Sequence, residues 1–476
     1  MVELTCQDKQ FRPEDVILTR REFLARLGMG FGALSLAGLV GMGLLPAPNT
    51  VRAADLSFSP FTPRDPHFTP KAKRVLHIFA SGAPSHIDTW DPKPALDKYD
   101  DKTMPGENNA TAFASPFKFA KTGKSGIETS EVFPMLNQHV DEMAIIRSMY
   151  TDIPDHAAAT IMMNTGSIRF TRPSVGSWVT YGLGSDNQNL PGFIALSPGG
   201  VGARNLQSAF LPGAFQGTSV NTQNTTIEKL IENIKNSYVS LPEQRRQLDL
   251  LHQLNEVHSI KLKKDGQLEA RLQAYEMAYQ MQIEATDAFD ISKEPESVRA
   301  MYGAERTQGR QMLIARRLLE KGVRFVQVWH GGWDHHSNLA TALRGKAEEC
   351  DKPLAALLTD LRQRGMLQDT LVIWGGEFGR SPTADGNAAG GTPGRNHNGR
   401  AFSMWLAGAG IKGGTAYGAT DEFGARAVEN KVHIHDLHAT ILWQLGFDHE
   451  KLTYRYNGRD FRLTDVHGQV VKGIMA

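Results

Sequence analysis

The chain has 476 residues, 52 Lys and Arg against 51 Asp and Glu, a formal charge of +1, and two cysteines. With no basic surplus to hold phosphate backbones, nucleic acid is not expected as a general partner. The length allows a large core without disulfide support, most simply one α/β domain with insertions.

The N-terminus comes first. Thr19-Arg20-Arg21-Glu22-Phe23-Leu24 leads into an uncharged stretch from Leu27 to Leu45 and a Pro/Ala-rich tail ending Val51-Arg52-Ala53. A paired arginine, a modest apolar run and small residues at the end read as a twin-arginine export signal over residues 1–53, cleaved near Ala53. The many glycines keep the run less hydrophobic than a membrane anchor; the alternative is an uncleaved tether. After cleavage no stable transmembrane segment is expected, and the chain is placed in the periplasm or outside the cell. The first 53 residues hold six Lys/Arg and five Asp/Glu, leaving 46 of each among 423. Cys6 leaves with the signal, so Cys350 has no partner for an internal disulfide.

Residues 54–72 are Pro-rich and polar, a linker or surface arm. An α/β domain is expected over 73–476. Arg74 to Ala80 reads as a buried strand ended by the turn Ser81-Gly82-Ala83-Pro84-Ser85, with His86, Asp88 and Asp91 following. Met143 to Arg147 is a second strand, then Thr151-Asp152-Ile153-Pro154-Asp155-His156 and a helix over Ala157 to Met163. Residues 224–290 are rich in Glu, Gln, Lys and Leu at helical spacing. They form a helical insertion that either packs over the sheet or serves oligomerisation. The α/β rhythm then resumes: helix Gln308 to Glu320, strand Val323 to Trp329, helix Leu339 to Arg364, strand Thr370 to Trp374, strand Ala401 to Ala407 and helix His435 to Gly446. Units of this length predict a doubly wound, mostly parallel sheet.

Polar clusters follow the apparent strands. Asp334 and His336 lie in a turn, close enough to approach one metal if the backbone bends. Carboxylate with imidazole suits zinc, manganese or iron more than calcium or magnesium. Glu377 and Arg380 follow the next strand, where the arginine either holds a phosphate or sulfate oxygen or pairs with Glu377. His397, after the Gly/Ala-rich loop Asp385 to Gly394, is a third or fourth ligand. In the first half, Thr151 or Ser148 offers a hydroxyl nucleophile, and His156 a metal ligand, a contact to the leaving group or a base. The plain alternative is a set of hydrogen-bonded turns.

The chain resembles the DUF1501 family, exported bacterial proteins placed with the alkaline phosphatase and sulfatase superfamily. The resemblance lies in the twin-arginine leader, Ser81 to Asp88 with Asp91 to Pro94, Ile146 to Met149, Gly331 to His336 and Gly375 to Arg380. It continues in Arg395 to His397, Asp436 to Ile441 and Gly458 to Asp460. It implies an alkaline-phosphatase-like fold and a metal centre of Asp and His beside a nucleophile. By position, Asp334 and His336 resemble an Asp-x-x-x-His pair with shortened spacing, and His397 resembles the late histidine. Glu377 stands where relatives place Asp-His. Ser81 falls near the usual first-strand aspartate, which turns attention to His86 or Asp88. Thr151 to His156 resembles the nucleophile segment Thr-x-Pro-Asn-His with one residue added, making Thr151 the candidate nucleophile. The Cys/Ser-x-Pro-x-Arg segment of formylglycine sulfatases is absent from the sequence.

The expected function is a periplasmic hydrolase of phosphate or sulfate esters, dependent on a divalent transition metal such as zinc or manganese, acting on an anionic ester or polysaccharide-like substrate. The alternative is a non-catalytic protein binding an anionic glycan or envelope partner. Replacing Arg20 and Arg21 together with lysine is expected to hold the unprocessed chain in the cytoplasm. Fractionation and N-terminal sequencing check this, and unchanged export would refute the leader assignment.

Overall fold

The computed structural model describes residues 62–476, apart from 107–109, 200–201, 225–229, 231–237, 263–265 and 386–390. The expected leader, residues 54–61 of the arm and parts of the 224–290 segment lie outside the described residues. Residues 62–72 run along the body: Arg64 N–H donates to Leu183 O, and the Lys71 and Ala72 N–H groups donate to Gln444 O.

Nine strands form one sheet. They are Arg74–Phe79 (β1), Met143–Tyr150 (β2), Phe193–Leu196 (β3), Thr218–Val220 (β4), Phe325–Trp329 (β5), Thr370–Gly375 (β6), Phe402–Ala407 (β7), Thr415–Tyr417 (β8) and Val432–His433 (β9). Their order is β8-β2-β7-β6-β1-β5-β3-β4, with β9 also beside β2. Strand β7 is antiparallel to both neighbours, β6 and β2. All other pairs are parallel, so β7 alone is reversed. Strands β1, β2, β5 and β6 therefore end on one edge of the sheet, and β7 begins there. That edge is where open α/β sheets gather polar side chains.

The central strands are continuous apolar runs because both faces are covered. In β1, Leu76 and Ile78 enter one core cluster while Val75 and Phe79 enter the other. The first cluster is closed by helices Thr307–Glu320 and Leu339–Gln363, through residues such as Leu313 and Leu357. Helices Val175–Leu183 and Ile434–Gln444 close the second, through Val179 and Ile441. Each such buried aliphatic side chain stabilises the fold by roughly 1.5–3 kcal/mol.

Two of the expected strands shift by two residues or more, and β3, β4, β8 and β9 were not expected from the sequence. The second runs on to Tyr150 instead of ending at Arg147, because β7 and β9 both pair with Met149. The fifth starts at Phe325 rather than Val323, whose N–H still closes the preceding helix on Leu318 O. In the expected insertion, helices Leu241–Leu262 and Gly266–Phe289 are joined by Arg245 Nη1 to Glu276 Oε1 at 2.5 Å. Met281, Ala288 and Phe289 of the second helix enter the core.

A separate two-stranded ribbon, Gly379–Ala384 paired with Arg395–Asn398, lies between β6 and β7 in the chain and sets His397 opposite Arg380. Its anchor is a buried ion pair. Arg395 Nε donates to Asp88 Oδ2 at 2.7 Å and Nη2 to Oδ1 at 3.0 Å, with both side chains fully buried. Burial disfavours the Asp88 carboxylate, but the Arg395 charge and hydrogen bonds outweigh it and hold the carboxyl below the usual range. Asp88 is thus committed to Arg395 and is not free to bind metal. His86 is buried as well, with Nε2 against Gly424 O at 2.9 Å and Nδ1 unpartnered. Neither residue belongs to the converging His/carboxylate group among the described residues, which corrects both expectations of a ligand in the first loop.

Asp88→Asn strands a buried guanidinium and is expected to lower stability by roughly 3–5 kcal/mol, measured by denaturant unfolding. Because the native pKa is depressed, the pair's stabilisation is present above about pH 4 and lost as pH falls through the native value. The wild type and Asp88→Asn should therefore converge in stability toward acid.

Candidate metal centre

At the shared edge, β1 leaves through Gly82, β5 through Asp334 and His336, β6 through Glu377, and β2 through residues 151–155 into helix His156–Thr165. The ribbon brings His397 back before reversed β7. The backbones press together: a Cβ on Gly82, whose φ is +104°, would lie 2.7 Å from Asp334 N. Only glycine fits there.

Asp334 Oδ1 is the centre of the cluster. Arg380 Nη2 donates to it at 2.5 Å. His336 Nε2 stands 3.0 Å away, His156 Nε2 3.1 Å and His397 Nε2 3.4 Å. The His156 approach is out of line for a hydrogen bond, leaving that buried nitrogen unpartnered. Ligand atoms of His156, Asp334 and His397 all lie within 4.8 Å of one another; His336 Nε2 flanks that group on one side, 3.0 Å from Asp334 Oδ1 and 2.9 Å from His397 Nε2.

The other ring nitrogens explain the arrangement. His156 Nδ1 meets Glu377 Oε1 at 2.6 Å, His336 Nδ1 meets Asp385 Oδ2 at 2.6 Å, and His397 Nδ1 meets Pro154 O at 2.9 Å. Carboxylate and carbonyl oxygens accept, so each Nδ1 donates and each ring turns its Nε2 inward. Nε2 atoms and a carboxylate oxygen at these separations suit a cation. The carboxylate and carbonyl partners behind them are the supports that metal-binding histidines use. Phe378, buried, packs against both the His156 and His397 rings at 4.8 and 4.7 Å.

Electrostatics follow the same contacts. Burial opposes ionisation of Asp334, but the Arg380 hydrogen bond and charge overcome it and keep the carboxyl well below the carboxylate range. Burial also opposes charge on His156; Glu377 and Asp334 outweigh it and raise that pKa. His397 is lowered by burial and then by the Arg380 charge.

The structure therefore brings Asp334, His336, His397 and His156 together and changes the expected roles of Glu377, Arg380, Thr151 and Ser148. Glu377 is not a ligand: it is fully buried, accepting from Gly82 N–H at 3.0 Å and orienting His156 from behind. Arg380 is not an anion fork. Its Nε donates to Ala83 O, Nη1 to Arg395 O at 3.2 Å with His336 Nε2 at 3.5 Å, and Nη2 to Gly82 O and Asp334. Four of its five donors are committed to oxygen acceptors within the protein, and the fifth faces His336 Nε2. Thr151 is buried with its Oγ1 unpartnered, so its hydroxyl makes no hydrogen bond to the cluster. Ser148 Oγ donates instead to Asn430 O at 2.6 Å. His335 is buried beside the loop, its imidazole pushed down to about 4 by burial and by Arg380.

Asp385 and the Pro154 carbonyl were not singled out from sequence as supports. Asp385 was only the start of a glycine-rich loop, and a backbone carbonyl has no sequence signature.

Fold and site define an α/β protein with a histidine–carboxylate centre at the carboxyl edge of its sheet. Residues 72–475 match the family described as "Protein of unknown function (DUF1501)", and the chain belongs to that family. No curated protein matches it significantly. Among solved structures it is similar to the PsFucS1 sulfatase from Pseudoalteromonas sp., at 13% identity over 80% of this chain and 68% of that one, with a TM-score of 0.35. It is also similar to the alkaline phosphatase from the Antarctic bacterium TAB5, at 14% identity over 72% and 92%, TM-score 0.29. A third is the lipoteichoic acid synthase LtaP from Listeria monocytogenes, at 8% identity over 85% and 78%, TM-score 0.32. Likeness this low carries nothing about chemistry, which rests on the residues above.

Arg380→Lys keeps the charge but cannot span the four oxygen acceptors of the guanidinium. It is expected to weaken zinc or manganese binding about 10- to 100-fold, whereas Thr151→Val leaves affinity within about twofold; calorimetric titration checks both.

Proposed function

We propose that this protein is an exported hydrolase of phosphate or sulfate esters that depends on a divalent transition metal, zinc or manganese. The carrying observation is the convergence of three Nε2 atoms and Asp334 Oδ1, each histidine held by an acceptor on its far nitrogen. His156, Asp334, His336 and His397 would hold the ion. When bound, such an ion polarises an ester oxygen and lowers the pKa of bound water.

The chain's own groups prepare that centre. Glu377, Asp385 and Pro154 O fix the tautomers, and Arg380 fixes the Asp334 carboxylate. The side chains of Asp334 and His336 are 44% and 38% exposed, so an ester can reach the ligands from solvent. The nucleophile in this reading is water, since the hydroxyls of Thr151 and Ser148 are engaged or enclosed elsewhere. Location in the periplasm is part of the proposal and rests on the leader sequence. No helix among the described residues is long and apolar enough to cross a membrane.

Purified protein is expected to hold a stoichiometric transition metal and to hydrolyse aryl phosphates or sulfates in a chelator-sensitive way. Asp334→Asn should lower activity at least 100-fold, roughly 2.7 kcal/mol of transition-state stabilisation. Metal binding without turnover across such a panel would instead support the binding-protein alternative. Metal-free protein with activity indifferent to Asp334→Asn would end the proposal.

A further inference from the structure

A second polar assembly lies in the core, away from the ligands, and its hydrogen bonds are fixed from both ends. Asn164, near the end of helix His156–Thr165, gives Nδ2 to Thr160 O at 2.8 Å. Its Oδ1 is therefore left to accept from Gln327 Nε2 at 2.7 Å. From the other side Trp329 Nε1, which only donates, meets Gln327 Oε1 at 2.9 Å. The remaining Gln327 amide proton faces His77 Nδ1 at 3.1 Å. His77 thus accepts at Nδ1 and carries its proton on Nε2.

His438, on helix Ile434–Gln444, has Nε2 2.7 Å from Met163 O. A carbonyl accepts, so the proton is on Nε2 and Nδ1 keeps a lone pair. His77 Nε2 and His438 Nδ1 are both buried without a hydrogen-bond partner; the residues are 6% and 1% exposed. One is an orphaned donor, the other an orphaned acceptor, and both residues line the same internal cavity with Asn164, Ser174 and Phe325. The cavity has room for the centre of one water. Burial pushes each imidazole down to about 4, so both are neutral near pH 7.

We propose that this cavity is a binding site for one ordered water, which accepts from His77 Nε2–H and donates to His438 Nδ1. The water closes a chain of hydrogen bonds from Trp329 through Gln327 and His77 to His438 and Met163. Two central strands are thereby linked to helix Ile434–Gln444 and to the helix whose first residue is His156.

A crystal structure of the whole protein at about 1.8 Å or better is expected to show one water within about 3 Å of both nitrogens. An empty cavity, or the two rings in direct contact, overturns the proposal. Unfolding of His77→Leu, His438→Leu and the double variant gives a second test. Each single change strands its opposite partner and should reduce the folding constant about tenfold or more. The double variant should lose less than the product of the two. Independent, multiplying effects would overturn the bridge.

Discussion

The Arg380 guanidinium is the interaction on which the edge of the sheet depends. Its donors reach Gly82 O and Ala83 O at the exit of β1, Asp334 at the exit of β5, and Arg395 O on the opposite strand of its own ribbon. Three chain segments far apart in sequence are thereby held by one planar group. Burial alone would lower the Arg380 pKa, and its pKa is lowered, although the Asp334 charge works the other way. A buried arginine with every donor satisfied carries its charge at tolerable cost.

A second constraint is topological. In a wholly parallel sheet the residues preceding a strand would lie on the far edge from the loops that carry Asp334, His336 and Glu377. Reversal of β7 between β6 and β2 puts its beginning among the strand ends, and His397, five residues earlier, comes with it. The ribbon then fixes the approach, because Arg395 at its base is tied to Asp88.

Much of this was legible in the sequence. The helix and strand units of the second half fall within a few residues of the observed ones, because each is a strong apolar run closed by Lys321-Gly322, Gly365 or Gly446. Asp334, His336 and His397 stand out as polar residues after strands and do converge. The direction of a side chain is what spacing does not contain. Glu377 and Asp334 follow β6 and β5, the strands on either side of β1, in the same way, yet one turns under the histidines and the other between them. Asp88 was assigned by resemblance and Arg380 by its residue type after a strand, and each is claimed by a partner about 300 or fewer than 50 residues away, respectively. Residue type suggested chemistry, while tertiary pairing decided role.

The four inward-facing residues come from segments scattered between His156 and His397, on either side of the long helices that interrupt the domain. No local hairpin or helix holds even two of the imidazoles in place before the sheet is assembled. A cation would therefore meet a competent site only in a nearly complete fold, and its affinity would add to global stability instead of guiding early steps. If the leader directs a folded chain across the membrane, the choice of ion falls to the compartment of synthesis. The metal found outside the cell would then report the cytoplasmic supply at the time of folding.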